Sequence, residues 1–75
     1  MAPPELDITR EVCPMTFVRT RLALDRIGIG DMLRVRLRGE EPVSNVSRST
    51  ALLGHAVEAA DPQPDGSTVL RIRKR

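Results

Sequence analysis

Tryptophan and tyrosine are absent from this chain, phenylalanine occurs once, at Phe17, and cysteine and histidine occur once each, at Cys13 and His55. Each scarcity excludes something. Without aromatic rings the core must be built from Leu, Ile, Val, Ala and Met, and there are no interleaved aromatics on which nucleic-acid bases could stack. A single cysteine forbids an internal disulfide and fits a reducing compartment. One cysteine and one histidine cannot furnish a structural zinc site within the chain, so no metal is expected. No run approaches the ~18 apolar residues of a membrane span. Met1-Ala2-Pro3-Pro4 has neither the basic start nor the apolar run of a secretory signal. These absences describe a cytoplasmic protein with no membrane partner.

What is present suits one small domain. The 75 residues carry a net charge of only +2, and all but one of the 12 basic side chains are arginine. A chain of this size buries about 60% of the surface it would expose when unfolded. Its net stability is therefore about 3–5 kcal/mol. We expect a single domain over 1–75, with 1–4 a frayed end.

Periodicity orders the elements. Leu6 and Ile8 alternate with Asp7 and Thr9 as in a half-buried strand. A helix is expected from Pro14 to about Ile27, closed by Gly28 in the left-handed position. Phe17, Thr20, Ala23, Leu24 and Ile27 share its core face. Met15, Val18 and Leu22 form a second apolar stripe, bordered by Arg19 and Arg26. Two readings of it stand: a docking surface, or a widening of the buried face. Met32 to Arg38 has a period of two, with Leu33, Val35 and Leu37 inward and Arg34, Arg36 and Arg38 outward. Gly39-Glu40-Glu41-Pro42 reads as a polar loop leading to a second helix, on which Val43, Val46, Thr50 and Leu53 share a face with Leu52 beside them, ending at Gly54. His55 to Ala60 is a strand with Val57 and Ala59 inward, Asp61 to Gly66 a hairpin loop, and Ser67 to Arg73 a strand with Arg71 and Arg73 on the open face. The order β-α-β-α-β-β defines an α/β two-layer sandwich, a four-stranded mixed sheet with two helices on one face.

The chemistry centres on Cys13-Pro14. Proline is tolerated at the first helical position, which places Cys13 at the N-cap, facing unpaired N–H groups and the positive end of the helix dipole. Such surroundings favour the thiolate. The competing reading is a small buried hydrophobe, since free cysteine is commonly buried.

Leu6-Asp7, Cys13-Pro14, a helix ending near Ile27-Gly28, Gly30-Asp31-x-Leu33-x-Val35, Pro42 before a short helix and Gly54-His55-x-Val57 resemble, in this order, the TusA/SirA family of small sulfur-carrier proteins. The resemblance implies the same β-α-β-α-β-β fold. It implies that Cys13 takes sulfane sulfur from a cysteine desulfurase or rhodanese-like donor and carries it as a persulfide to an acceptor protein. The covalent persulfide stands in place of any cofactor, and a monomer or weak dimer is expected. The chain departs from the family pattern where Arg10-Glu11-Val12 replace a glycine-leucine pair, where Thr16 replaces a second proline, and where Glu40-Glu41 replace two aspartates. Arg10, Met15, Val18, Arg19, Leu22, Glu40 and Glu41 are the candidate partner-docking residues, with Arg21 a further cation near the sulfur. His55 reads first as a helix-end or packing residue and only second as a base. The alternative function is a nucleic-acid-binding or regulatory module using Arg34, Arg36, Arg38, Arg71, Arg73, Lys74 and Arg75; the missing aromatics argue against nucleic acid.

Overall fold

A computed structural model describes residues 4–12 and 15–75. The elements run β1 (Glu5–Asp7), α1 (Met15–Asp25), β2 (Met32–Arg38), α2 (Glu40–Leu52), β3 (Ala56–Pro62) and β4 (Ser67–Arg73). The sheet order is β1-β2-β4-β3, with β1 parallel to β2 and β4 antiparallel to both its neighbours. This is the expected two-layer α/β sandwich. One pairing is decided by packing: β2 and β3 run the same way but do not touch, because β4 lies between them. The burial of β4 on both faces fits that place. Leu70 and Ile72 are buried on one face and Val69 on the other, and a strand apolar on both faces belongs in the middle.

The core is a cluster of Ile8, Leu24, Leu33, Val35, Leu37, Val46, Leu70 and Ile72 between the sheet and the helices. Leu33, Val35 and Leu37 reach it at period two from β2, as the alternation requires. Pro4, expected to fray, is instead tied in, its carbonyl accepting the Arg34 amide at 3.0 Å. The remaining expected frayed residues, 1–3, lie outside the described residues.

Several expectations are corrected. On α1 and just past its end the expected Thr20, Ala23, Leu24 and Ile27 do face the core, but Thr16 joins them fully buried and Phe17 is only half-buried. Phe17 lies about 60° around the helix from Thr20, at the margin of that face, and the small threonines let the helix pack closely. The Thr20 hydroxyl donates to the Thr16 carbonyl at 2.8 Å. The left-handed residue after α1 is Gly30 (φ 91°), not Gly28. The Gly28 carbonyl accepts the Asp31 amide (2.9 Å) and the Gly28 amide donates to Asp31 Oδ2 (2.9 Å). This turn places its positive φ at the third residue, where glycine is required. The helix end is closed by Lys74, whose Nζ donates to the Ile27 carbonyl at 2.8 Å.

Glu40, Glu41 and Pro42 are not a loop but the first turn of α2. Carboxylates there complement the helix dipole, and proline there lacks only an amide that no helical carbonyl would have accepted. Leu52 and Leu53 are exposed, so the inward face of α2 is Val43, Val46 and Thr50. In β3 a register shift between Val57 and Ala59 aligns Ala59 with Arg71. Val57 packs on the core, and Ala59 joins the open face. Asp61 and Pro62 belong to β3, which leaves Gln63–Gly66 as the hairpin turn.

Candidate functional site

The parallel strands β1 and β2 both end at one edge of the molecule, and each hands the chain to a helix there. That edge gathers Ile8–Val12, the N-terminal turn of α1, Gly39–Glu41 at the start of α2, and the β3–β4 hairpin. Cys13 and Pro14 lie outside the described residues, so the N-cap expectation for Cys13 is carried forward from the sequence. The residues on either side of them are well held. Asp7 Oδ1 accepts the Thr9 amide (3.0 Å) and hydroxyl (2.8 Å), and these bonds hold its carboxyl below the usual carboxylate range. The Glu11 amide donates to the Ile8 carbonyl at 3.1 Å, and the Met15 amide to the Val12 carbonyl at 2.8 Å.

Arg19, a candidate docking residue, is paired with Glu11 at 3.3 Å. The pair straps the segment before α1 to the second turn of the helix. Nothing local in the sequence marks two residues eight apart, across a turn, as partners. Arg10 and Arg21 are exposed, with no ion pair among the described residues. Thr16, which stands where the family pattern has a second proline, is buried, and its hydroxyl has no hydrogen-bond partner among the described residues.

The second apolar stripe of α1 is on the surface. Met15, Val18 and Leu22 are exposed, Leu22 at 54%, and Val12 beside them is 73% exposed. At about 100° per residue the stripe points directly away from the Thr16–Thr20–Leu24 line. It is therefore no widening of the core. Gly39, at the other helix start, has φ 99° and provides no side-chain cap to α2. A Cβ there would meet Pro42 Cδ at 3.4 Å as well as the unfavourable backbone angle.

His55 sits at the opposite edge. It precedes Ala56, which pairs with Arg73 and through it with Met32 at the start of β2. The seven-residue β2 separates that edge from the α1 start by about 20 Å at ~3.3 Å per residue. His55 Nδ1 accepts the Arg75 amide at 3.1 Å. It anchors the chain after β4 and is too distant for a base at the α1 start.

The arginines of the open sheet face are interleaved with carboxylates. Arg34 and Arg36 each lie 3.6 Å from Glu5, Arg36 and Arg38 lie 3.9 and 3.7 Å from Asp65, Arg71 is 3.1 Å from Asp61 and Arg73 is 2.8 Å from Glu58. These five arginines share four carboxylates, and Arg75 has no ion pair among the described residues. Ser67 donates its amide and hydroxyl to Asp65 Oδ1 (2.9 and 2.6 Å), and Arg73 grips Glu58. These contacts depress both carboxyls below their ordinary range. A depressed folded pKa contributes stability above the unfolded pKa, and that stability is lost as pH falls through the folded value. Thermal melts should therefore hold level near neutrality and drop below about pH 4. Asp65→Asn should flatten that drop, and an unchanged acid limb in the variant would show the lattice to be inert.

Residues 4–74 match the family described as sulfurtransferase TusA, and the chain belongs to that family. It is 37% identical over 70 residues to a protein of Archaeoglobus fulgidus named "Putative sulfur carrier protein", covering 93% of this chain and 80% of the relative. The crystal structure of a SirA-like protein from Desulfitobacterium hafniense superposes with a TM-score of 0.83 at 21% identity, over 93% of this chain and 95% of that one. That likeness establishes the fold. Among the described residues no helix is long and apolar enough to cross a membrane.

Proposed function

We propose that this protein carries sulfur on Cys13. The observation that carries the reading is the family match across residues 4–74, which contains the chain's only cysteine. The Cys13 thiolate attacks the outer sulfur of a donor persulfide, presented by a cysteine desulfurase or a rhodanese-like protein. The donor's S–S bond breaks, its electron pair leaves on the donor's thiolate, and a new S–S bond joins the sulfur to Cys13. An acceptor protein's thiolate then attacks that terminal sulfur, and Cys13 leaves as thiolate. No oxidant is consumed. Having no second cysteine, the chain cannot resolve the persulfide on itself and must pass the sulfur to another molecule.

Pro14 sets the helix start, and the dipole of α1 favours the anion at both stages. The exposed apolar ridge Met15–Val18–Leu22, with Val12 beside it, is the docking surface for donor and acceptor. Glu40 and Glu41 lie on the same edge of the fold, and exposed Arg10 borders the cysteine in sequence. Carboxylates interleaved with the arginines of the open face weaken the electrostatic basis of the nucleic-acid alternative.

Incubation with a cysteine desulfurase and cysteine, followed by intact-mass measurement, should show one added sulfur atom that a thiol reductant removes. A chain that keeps its unmodified mass while the desulfurase is active overturns the proposal. Leu22→Glu should load or hand over sulfur roughly tenfold more slowly with an unchanged melting temperature, since a buried charge at an interface core is costly while an exposed one is not. Rates equal to those of the unaltered protein would remove the ridge from the docking surface.

A further inference from the structure

The two edges of the sheet are treated differently by the fold. The β3 edge carries a register shift between Val57 and Ala59 and ends at Pro62, both of which discourage a further strand. The β1 edge has no register shift, and its proline, Pro4, turns its carbonyl to Arg34 and lies before the first outward amide, that of Glu5. Its inner backbone groups are spent on β2: the Pro4 carbonyl accepts from Arg34, and the Ile8 amide donates to the Arg36 carbonyl. With Glu5 aligned on Arg34 and Asp7 on Arg36 in a parallel ladder, the N–H and C=O groups of Glu5 and Asp7 point outward. They have no backbone partner among the described residues.

Beside this open edge lies a groove of about 280 Å³ between β1 and α1. Leu6, Ala23, Ile27 and Leu33 line it, and exposed Leu22 and Arg26 stand on its rim. Arg19, also at the groove, is engaged by Glu11. Arg26 has no carboxylate partner among the described residues. The neighbourhood thus offers backbone hydrogen bonds, an apolar recess and one uncommitted cation in a row.

We propose that the outer edge of β1 takes an extended segment of a partner protein as a fifth strand, with an aliphatic side chain in the Leu6–Ile27 groove and a carboxylate on Arg26. Main-chain bonds to Glu5 and Asp7 supply the alignment, and alternate side chains supply the selectivity. The charge complement to Arg26 makes the segment acidic, and the three-residue length of β1 makes it short. This docking is independent of sulfur chemistry and gives a partner a hold on the molecule whether or not Cys13 is loaded.

The probe is the end-blocked peptide acetyl-Thr-Glu-Thr-Leu-Thr-Asp-Thr-amide, whose acidic residues share the leucine's face at period two and so lie on the Arg26 side, titrated into isotope-labelled protein and followed by amide resonances and hydrogen exchange. Saturable shifts at Glu5, Asp7 and Arg26 are expected, with exchange of the Glu5 and Asp7 amides slowed about tenfold. Arg26→Glu should weaken binding by about fivefold or more, and replacing both acidic residues of the peptide with lysine should do the same. Glu5→Pro, which removes an outward N–H and no ladder bond, should abolish binding where Glu5→Ala retains it. If Glu5→Pro does not fold, the exchange of the Asp7 amide in the unaltered protein decides alone. No saturation up to millimolar peptide, or equal binding of the lysine peptide, overturns the proposal. Protection of the same amides that rises with protein concentration without peptide assigns the edge to a second copy of the chain and also overturns it. None of these readouts moves with sulfur loading, so failure here leaves the carrier reading untouched, and failure of that reading leaves this one standing.

Discussion

Cys13→Ser is expected to abolish sulfur loading completely while leaving the far-ultraviolet spectrum of the fold in place. The loss is all-or-none because the chain has a single cysteine and a serine hydroxyl at neutral pH supplies no comparable nucleophile or sulfur leaving group. A companion measurement separates the presence of the thiol from its activation. If the start of α1 stabilises the anion, alkylation of Cys13 by iodoacetamide should titrate below the ~8.5 of a free thiol. The variant tests where the sulfur sits, and the pH profile tests why it sits there. Sulfur retained by Cys13→Ser would end the carrier proposal, whereas an ordinary thiol profile would remove only the helix from the mechanism.

Leu70→Ala is expected to unfold most of the population at 25 °C. Leu70 is fully buried on β4, the strand flanked by β2 and β3, aligned with Val35 on one side and Ala60 on the other. Removing a buried leucine side chain costs about 2–5 kcal/mol, because the transfer loss is compounded by a cavity that surrounding residues fill only in part. A domain this small has about 3–5 kcal/mol in total. Leu52→Ala provides the contrast, since Leu52 is 82% exposed and its truncation should stay within about 0.5 kcal/mol. Urea titration of the two variants measures both, and a Leu70→Ala midpoint close to that of the unaltered chain would show that the core clusters elsewhere.

The ridge and the core of α1 explain why the function of this helix is hard to read from its amphipathicity alone. Its apolar residues fall on two opposite faces, so neither face stands out by contrast with a polar side. The fully buried line is Thr16, Thr20 and Leu24, and Thr16 is a polar residue that the spacing from Phe17 leaves outside. The Thr20 hydroxyl is satisfied by the Thr16 carbonyl, so burial costs it little. The exposed line, Met15, Val18 and Leu22, is the more apolar of the two. A helix that leaves its more apolar side to solvent does so at a cost in solubility, and docking is the purpose the proposed function assigns to it.

Local pattern alone determined the element order, the period-two register of β2, the strand Ser67–Arg73 and the residues that resemble the sulfur-carrier family. These are set by side-chain alternation and by proline and glycine, which act within a few residues and need no knowledge of the rest of the chain. The tertiary structure decided which strand lies in the middle, because burial of Val69 on the second face of β4 depends on neighbours far away in sequence. It also decided that the arginines of the open face are paired, since their partners Glu5, Glu58, Asp61 and Asp65 come from β1, β3 and the hairpin. Charge along one strand is visible in sequence, but its compensation is a property of the folded sheet. The same distinction separates a lone cysteine before a helix, which anyone can read in the sequence, from the exposed ridge and open strand edge beside it, which exist only once the layers have packed.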